Sequence, residues 1–194
     1  MKPCLVGITG RIASGKSVAA DYISQTYQFH LIDADKVGHQ ILEEQSVMDA
    51  IAHRFPSAFD SSTNSIQRAI LSDLVFQDPK KLRELNAITW AGILTRIASE
   101  IGQYPRSVIE AIGLFQSSLY KKCDCTLYIN CSFLHIQKRL QMRGLTDDKI
   151  QRIILAQKDH AASMSLANVV ITNNSSLQDF RESIDQTMNS LFCV

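Results

Sequence analysis

An α/β fold built on a five-stranded parallel sheet is what the sequence predicts, and three observations carry it. Short apolar runs of strand length recur along the chain, separated by segments of helical period. The first run breaks into a glycine-rich turn that leads straight into a helix. Between the second and third runs lies a helical block of ~65 residues, too long for one crossover, which reads as an inserted subdomain at about 37–104. Strands alternating with helices in this way lie side by side in one parallel sheet, with helices on both faces.

Cys4–Thr9 (CLVGIT) has the pattern of a buried parallel strand closed by glycine. Val18, Ala19, Tyr22 and Ile23 recur at helical spacing within Ser17–Tyr27, and Phe29–Ile32 (FHLI) forms a second strand ending in Asp33-Ala34-Asp35. In the insert, Asp78-Pro79 opens the longest helix, with proline where its missing N–H does no harm. Strand character returns at Ser107–Ile112 (SVIEAI), Thr126–Ile129 (TLYI) and Asn168–Ile171 (NVVI). Ser132 is the expected N-cap of a helix through Arg143, and Thr146 of the next. Ser176-Leu177-Gln178-Asp179 resembles a capping box for the terminal helix, with aspartate in place of Glu or Gln.

Composition narrows the function. Twenty Lys+Arg against nineteen Asp+Glu give a net charge of +1, which removes the electrostatic reason to expect a nucleic-acid or membrane-surface partner. Apolar runs fall short of the ~18 residues of a membrane span, and MKPCLVGITG breaks into glycines too early for a signal peptide. Cys4, Cys123, Cys125, Cys131 and Cys193 contain no CxxC and have no partners at zinc-finger spacing. They read as reduced thiols, mostly buried, in a cytoplasmic protein.

Residues 7–17 read GITGRIASGKS, and Gly10-x-x-x-x-Gly15-Lys16-Ser17 matches the phosphate loop G-x-x-x-x-G-K-[ST]. Glycines let successive backbone N–H groups curl around phosphate oxygens, and the following helix adds its positive N-terminal end. Gly10, Arg11, Ile12, Ala13, Ser14, Gly15, Lys16, Ser17 and Val18 are therefore expected to line the phosphates of a nucleotide, which the family resemblance given below makes ATP. In this arrangement Lys16 reaches the β- and γ-phosphates and the Ser17 hydroxyl ligates Mg²⁺. The N-K-x-D signature of a GTPase is absent, and D-x-x-G at Asp35–Gly38 follows the loop too closely to be a switch. An apolar strand ending in Asp-Glu, which a helicase-type ATPase needs, is missing too, so a small single-domain kinase fits the length best. Such an enzyme must orient and deprotonate an acceptor hydroxyl. Asp33 and Asp35 stand at the carboxyl end of the second strand, where ligands gather in open parallel sheets. On an extended segment at most one of them faces the site; a solvated turn or helix cap is the bland alternative.

With these residues in place the chain resembles the dephospho-CoA kinase family along nearly its whole length. ITGRIASGKSVAA is similar to that family's phosphate loop, and LIDADKV to its acceptor-side aspartate motif. IQRAILSDLVFQDPKKLRELNAI resembles its helical substrate-binding insert. SLYKKCDCTLYINCSFLHIQKRLQMR is similar to the fourth strand and the helix leading to the lid, and LAQKDHAASMSLANVVITNN to the lid return and last strand. The resemblance implies a P-loop nucleotide-kinase-like fold with a short lid at about 143–150. The reaction it implies is ATP-dependent phosphorylation of the ribose 3′-hydroxyl of dephospho-CoA. It makes Asp35 the catalytic base, with Asp33 beside it, and Lys16 and the loop amides the stabilisers of the transferring phosphoryl group. Arg68 would bind the acceptor side, Arg139 and Arg143 would close over the ATP phosphates, and Asn173 would contact the nucleotide. Glu110, in SVIEAI, would either orient Mg²⁺-bound water or be structural. The implied protein is cytoplasmic, a monomer or small homo-oligomer, with no nucleic-acid or membrane partner.

The chain departs from the family pattern at several places. The usual G-G-I-G-S-G-K-S has Arg11 and Ala13 in place of two glycines, and P-L-L-F-E appears as Ile112-Gly113-Leu114-Phe115-Gln116. A His-Pro pair in the insert is Trp90-Ala91, Arg143-Gly144 lacks the aspartate that often follows the arginine, and the final-strand Asp-Asn is Thr172-Asn173. These changes keep two other readings in view: a related kinase with a different hydroxyl acceptor, and a nucleotide-binding protein without turnover.

Overall fold

A computed structural model describes residues 4–76, 78–117, 119–157 and 160–192. Cys193 lies outside them, as do Met1, Lys2, Pro3, Gln77, Ser118 and the Lys158-Asp159 pair of the segments quoted above. The chain forms two compact units. One contains the residues up to Asp33 and those from Gln103 onward; the other is Ala34–Gly102.

The first unit opens with β1 (Cys4–Gly10), α1 (Lys16–Tyr27) and β2 (His30–Asp33). The second unit runs α2 (Ala34–Ile41), α3 (Gln45–Arg54), a hairpin of β3 (Phe59–Asp60) and β4 (Ser65–Ile66), then α4 (Arg68–Phe76) and α5 (Pro79–Gln103). The chain re-enters the first unit with β5 (Arg106–Glu110) and β6 (Cys125–Asn130), followed by α6 (Phe133–Met142) and α7 (Asp147–Ala156). It ends in α8 (His160–Leu166), β7 (Val169–Thr172) and α9 (Leu177–Phe192).

The five long strands form one sheet in the order β2-β5-β1-β6-β7, and every pairing in it is parallel. β1, fully buried along its length, is the central strand. From it the chain goes first to one side of the sheet and later to the other, so the end of β1 is the topological switch point where ligands bind in open sheets. One face is sealed by alternate strand residues, among them Val6, Ile8, Val108, Leu127 and Ile129. They pack against Ala19, Ala20 and Ile23 of α1 and Phe180, Ile184 and Met188 of α9. Two tyrosines of α1 fasten the same helices together: Tyr22 and Tyr27 donate their hydroxyls to the Asp185 carboxylate at 2.8 and 2.7 Å.

The caps lie where the sequence puts them. Ser132 Oγ accepts the His135 N–H, and Thr146 precedes α7, although its side chain makes no cap bond. The box before α9 is reciprocal: Ser176 Oγ accepts from Asp179 N and Asp179 Oδ2 from Ser176 N, both at 3.2 Å. Two local readings differ from the structure. The hairpin β3–β4 interrupts the helical block; its turn uses Asn64 at φ 48° and an Asp60 carboxylate that accepts the Ser62 N–H at 2.9 Å. Beyond Asp33 the chain turns at once into α2, so Asp35 stands on the first helical turn and not on extended backbone.

Candidate functional site

The loop at the end of β1 is shaped by two glycines that tolerate no side chain. Gly10, at φ +150°, lies so close to the Ile129 carbonyl of β6 that a Cβ would collide with it. Gly15, at φ +106°, holds the αL conformation that precedes α1, and a Cβ there would run into the Asn173 amide. Ala13 takes φ +56° between them, an uncommon strain for a residue with a side chain. The turn closes through Ser14 N–H to Arg11 O at 3.2 Å, and α1 starts with Ala19 N–H to Gly15 O at 3.0 Å.

Side chains from distant segments grip this loop from behind. Arg139 of α6 donates Nη1 to the carbonyls of Ala13 and Ser14 at 3.0 and 3.1 Å, and Nη2 to the Asn173 carbonyl at 3.2 Å. Asn173, just past β7 and buried, donates Nδ2 to Ser14 O at 2.8 Å. With those carbonyls engaged behind the turn, loop N–H groups other than those of Ile12 and Ser14, which are bonded within the protein, can face a ligand. Gln157, after α7, accepts the Ile12 N–H at 3.1 Å through Oε1. Lys16, buried at the head of α1, donates Nζ to the Arg11 carbonyl at 3.1 Å.

Ser17 meets Glu110. Its hydroxyl donates to Glu110 Oε1 at 2.8 Å, and Glu110 lies in register between Ile8 of β1 and Asp33 of β2. A hydroxyl at the start of α1 and the carboxylates that end β5 and β2 thus lie on the carboxyl side of the sheet. The described residues contain no group of three or more His, Cys, Asp or Glu able to hold a metal alone. The all-oxygen set fits Mg²⁺, which keeps waters and takes further ligands from a substrate's phosphates. Thr9 Oγ1 donates to Ile112 O at 3.1 Å and ties the end of β1 to the segment after β5. That segment and the loop border a cavity of about 150 Å³.

The remaining expected residues are placed as follows. Arg143 is the exposed C-cap of α6 and gives its backbone N–H to the last carbonyls of that helix. Asp35 is exposed on α2. Arg68, at the start of α4, pairs with Glu43 at 2.7 Å and reaches the His39 carbonyl at 3.4 Å. Val18 is exposed on α1. Sequence reasoning missed Gln157 and the bracing bonds of Arg139. A glutamine that bonds one backbone N–H leaves no residue-type pattern to read.

A five-stranded parallel sheet, with a phosphate loop at its switch point and Lys-Ser opening the next helix, defines a P-loop kinase-like fold. Two solved structures bear this out: a dephospho-CoA kinase from Campylobacter jejuni (TM-score 0.69, 23% identity, 98% of each chain) and a shikimate kinase from Bacteroides thetaiotaomicron (TM-score 0.57, 15% identity, 97% of this chain and 98% of the other). Within that class the chain belongs to the dephospho-CoA kinase family, whose model matches residues 4–179. A curated dephospho-CoA kinase of Borreliella burgdorferi is 33% identical over 175 residues, covering 88% of this chain and 84% of the relative.

Proposed function

We propose that the protein transfers the γ-phosphoryl group of ATP to the ribose 3′-hydroxyl of dephospho-CoA, giving CoA and ADP, the last step of CoA biosynthesis. The observation that carries this reading is the braced phosphate loop, with Lys16 and Ser17 after it, in a chain whose family match runs from residue 4 to 179.

The bond from the γ-phosphorus to its bridging oxygen breaks, the 3′-oxygen bonds to that phosphorus, and the 3′-hydroxyl proton leaves. Asp35 accepts this proton, and Asp33, at the end of β2, binds on the acceptor side. Lys16 leaves the Arg11 carbonyl for the β- and γ-phosphate oxygens. With the loop N–H groups that are not bonded within the protein, it stabilises charge on the moving phosphoryl group. Arg139 and Asn173 keep those N–H groups aligned from behind; Arg143, at the lid, closes over the phosphates and excludes water. Arg68 binds the acceptor. Ser17, with Glu110 beside it, would hold Mg²⁺, which when bound neutralises phosphate charge. Among the described residues no helix is long and apolar enough to cross a membrane. The enzyme is proposed to work in the cytoplasm as a monomer or small homo-oligomer.

The test is direct. Purified protein with Mg²⁺–ATP and dephospho-CoA yields a product at the mass of CoA, and the Lys16→Ala variant yields none. ATP binding without that product, with other hydroxyl acceptors phosphorylated in its place, would reassign the acceptor.

A further inference from the structure

Gln157 closes α7, where its backbone N–H caps the carbonyls of Ile154 and Leu155. The helix is itself fixed, because Ile150 is buried with Ala13, Ile136 and Leu140 in an apolar cluster against which Ile12 and Ile154 pack. The Gln157 side chain thus starts from a rigid element, and its Oε1 accepts the Ile12 N–H at 3.1 Å. That N–H belongs to the same peptide unit as the Arg11 carbonyl. In a planar trans peptide the N–H and the C=O point in opposite directions. The Arg11 carbonyl accepts Lys16 Nζ at 3.1 Å and the Ser14 N–H at 3.2 Å. One peptide plane therefore meets Gln157 on one edge and the ammonium of the phosphate-binding lysine on the other.

Such a plane lies between two soft torsions, Arg11 ψ and Ile12 φ, and can turn over while its neighbours hardly move. Turned over, this one would set its N–H against the Lys16 ammonium, donor facing donor, and would withdraw the oxygen on which the lysine rests. A bond to the Ile12 N–H from α7 opposes that turn. We infer that Gln157 is a positioning residue for Lys16, acting through the Arg11–Ile12 peptide. It holds the carbonyl that receives the ammonium, and it keeps the loop in shape when the ammonium leaves for phosphate oxygens. ATP then meets a loop already set for it, and none of its binding energy is diverted to turning a peptide. The inference rests on the phosphoryl-transfer reading above and deepens it.

Two variants separate this role from a merely structural one. Gln157→Asn draws the oxygen back by one methylene and keeps an amide, whereas Gln157→Glu keeps an oxygen at the original reach. ATP affinity is measured by calorimetry, and KM for ATP and for dephospho-CoA by steady-state kinetics. The ligand-free enzyme is examined by NMR, in which a lysine ammonium gives a resolved nitrogen signal while its protons are held in hydrogen bonds. Gln157→Asn is expected to weaken ATP binding by about two- to tenfold, the worth of one neutral hydrogen bond. Its KM for ATP rises in proportion, its KM for dephospho-CoA changes little, and the Lys16 signal is lost. Gln157→Glu is expected to keep that signal. Unchanged ATP affinity in Gln157→Asn, equal rises in both KM values, or a Lys16 signal that is the same in all three proteins, or absent from the wild type, overturns the inference. A wild type that binds ATP and makes no CoA is the separate failure, that of the kinase reading; calorimetry and NMR still decide the role of Gln157.

Discussion

At the scale of single residues the phosphate loop is a problem of fitting backbone around an anion. Gly15 meets it twice, with a φ of +106° and no room for a Cβ beside the Asn173 amide. Gly15→Ala is therefore expected to displace Asn173 from Ser14 and to abolish measurable ATP binding in a calorimetric titration, with the rest of the fold intact by circular dichroism. Asp35 is the residue whose chemistry the proposed reaction needs most. Asp35→Asn keeps the shape and removes the basicity, so kcat is expected to fall about 10²–10³-fold with the KM for ATP little changed, as steady-state kinetics will read. Both residues could be singled out in the sequence, the glycine by its motif and the aspartate by its place after a strand. The bracing role of Arg139 and Asn173, which the family resemblance puts on the nucleotide itself, could not. Arg139 and Asn173 lie 126 and 159 positions from the loop residues they hold, and they bond to carbonyl oxygens that every residue type carries.

Elements were legible wherever a local rule fixes them. The strand at Cys4 and the helix after Lys16 follow from apolar period, and the reciprocal bonds between Ser176 and Asp179 follow from the chemistry of helix starts. The β3–β4 hairpin was not legible, because two-residue strands are too short for alternation to register. The turn of Asp35 onto α2 was hidden by the acidic, polar run that a strand end and a helix start share. How α1 is joined to α9 is likewise a tertiary matter. Burial first, then the hydrogen bond and charge of Asp185, raise the Tyr27 phenol above its ordinary value; the Asp185 hydrogen bond is the largest cause at Tyr22. A phenol with a raised folded value stabilises the protein fully below about pH 10 and loses that contribution as pH climbs through the folded value. Melting temperatures from about pH 10 upward should accordingly fall more steeply for the wild type than for Asp185→Asn.

For the whole molecule, binding and folding are linked. ATP that binds only the folded chain, at a hundred times its dissociation constant, stabilises by about 2.7 kcal/mol. For a chain of this length that is a rise of about 5–10 °C in melting temperature. Thermal denaturation with and without Mg²⁺–ATP should show this rise in the wild type and lose it in Lys16→Ala. By itself the sequence determined the phosphate loop, the five strands, the main helices and the resemblance to a kinase family, because apolar period, glycine tolerance and capping are properties of neighbouring residues. Only the tertiary structure decided that β1 is the central strand and that Gln157 reaches back 145 positions to the Ile12 N–H. It alone put that bond on the peptide whose carbonyl accepts Lys16 Nζ. Contacts of that kind depend on where the sheet delivers each side chain in space, and no spacing along the chain encodes them.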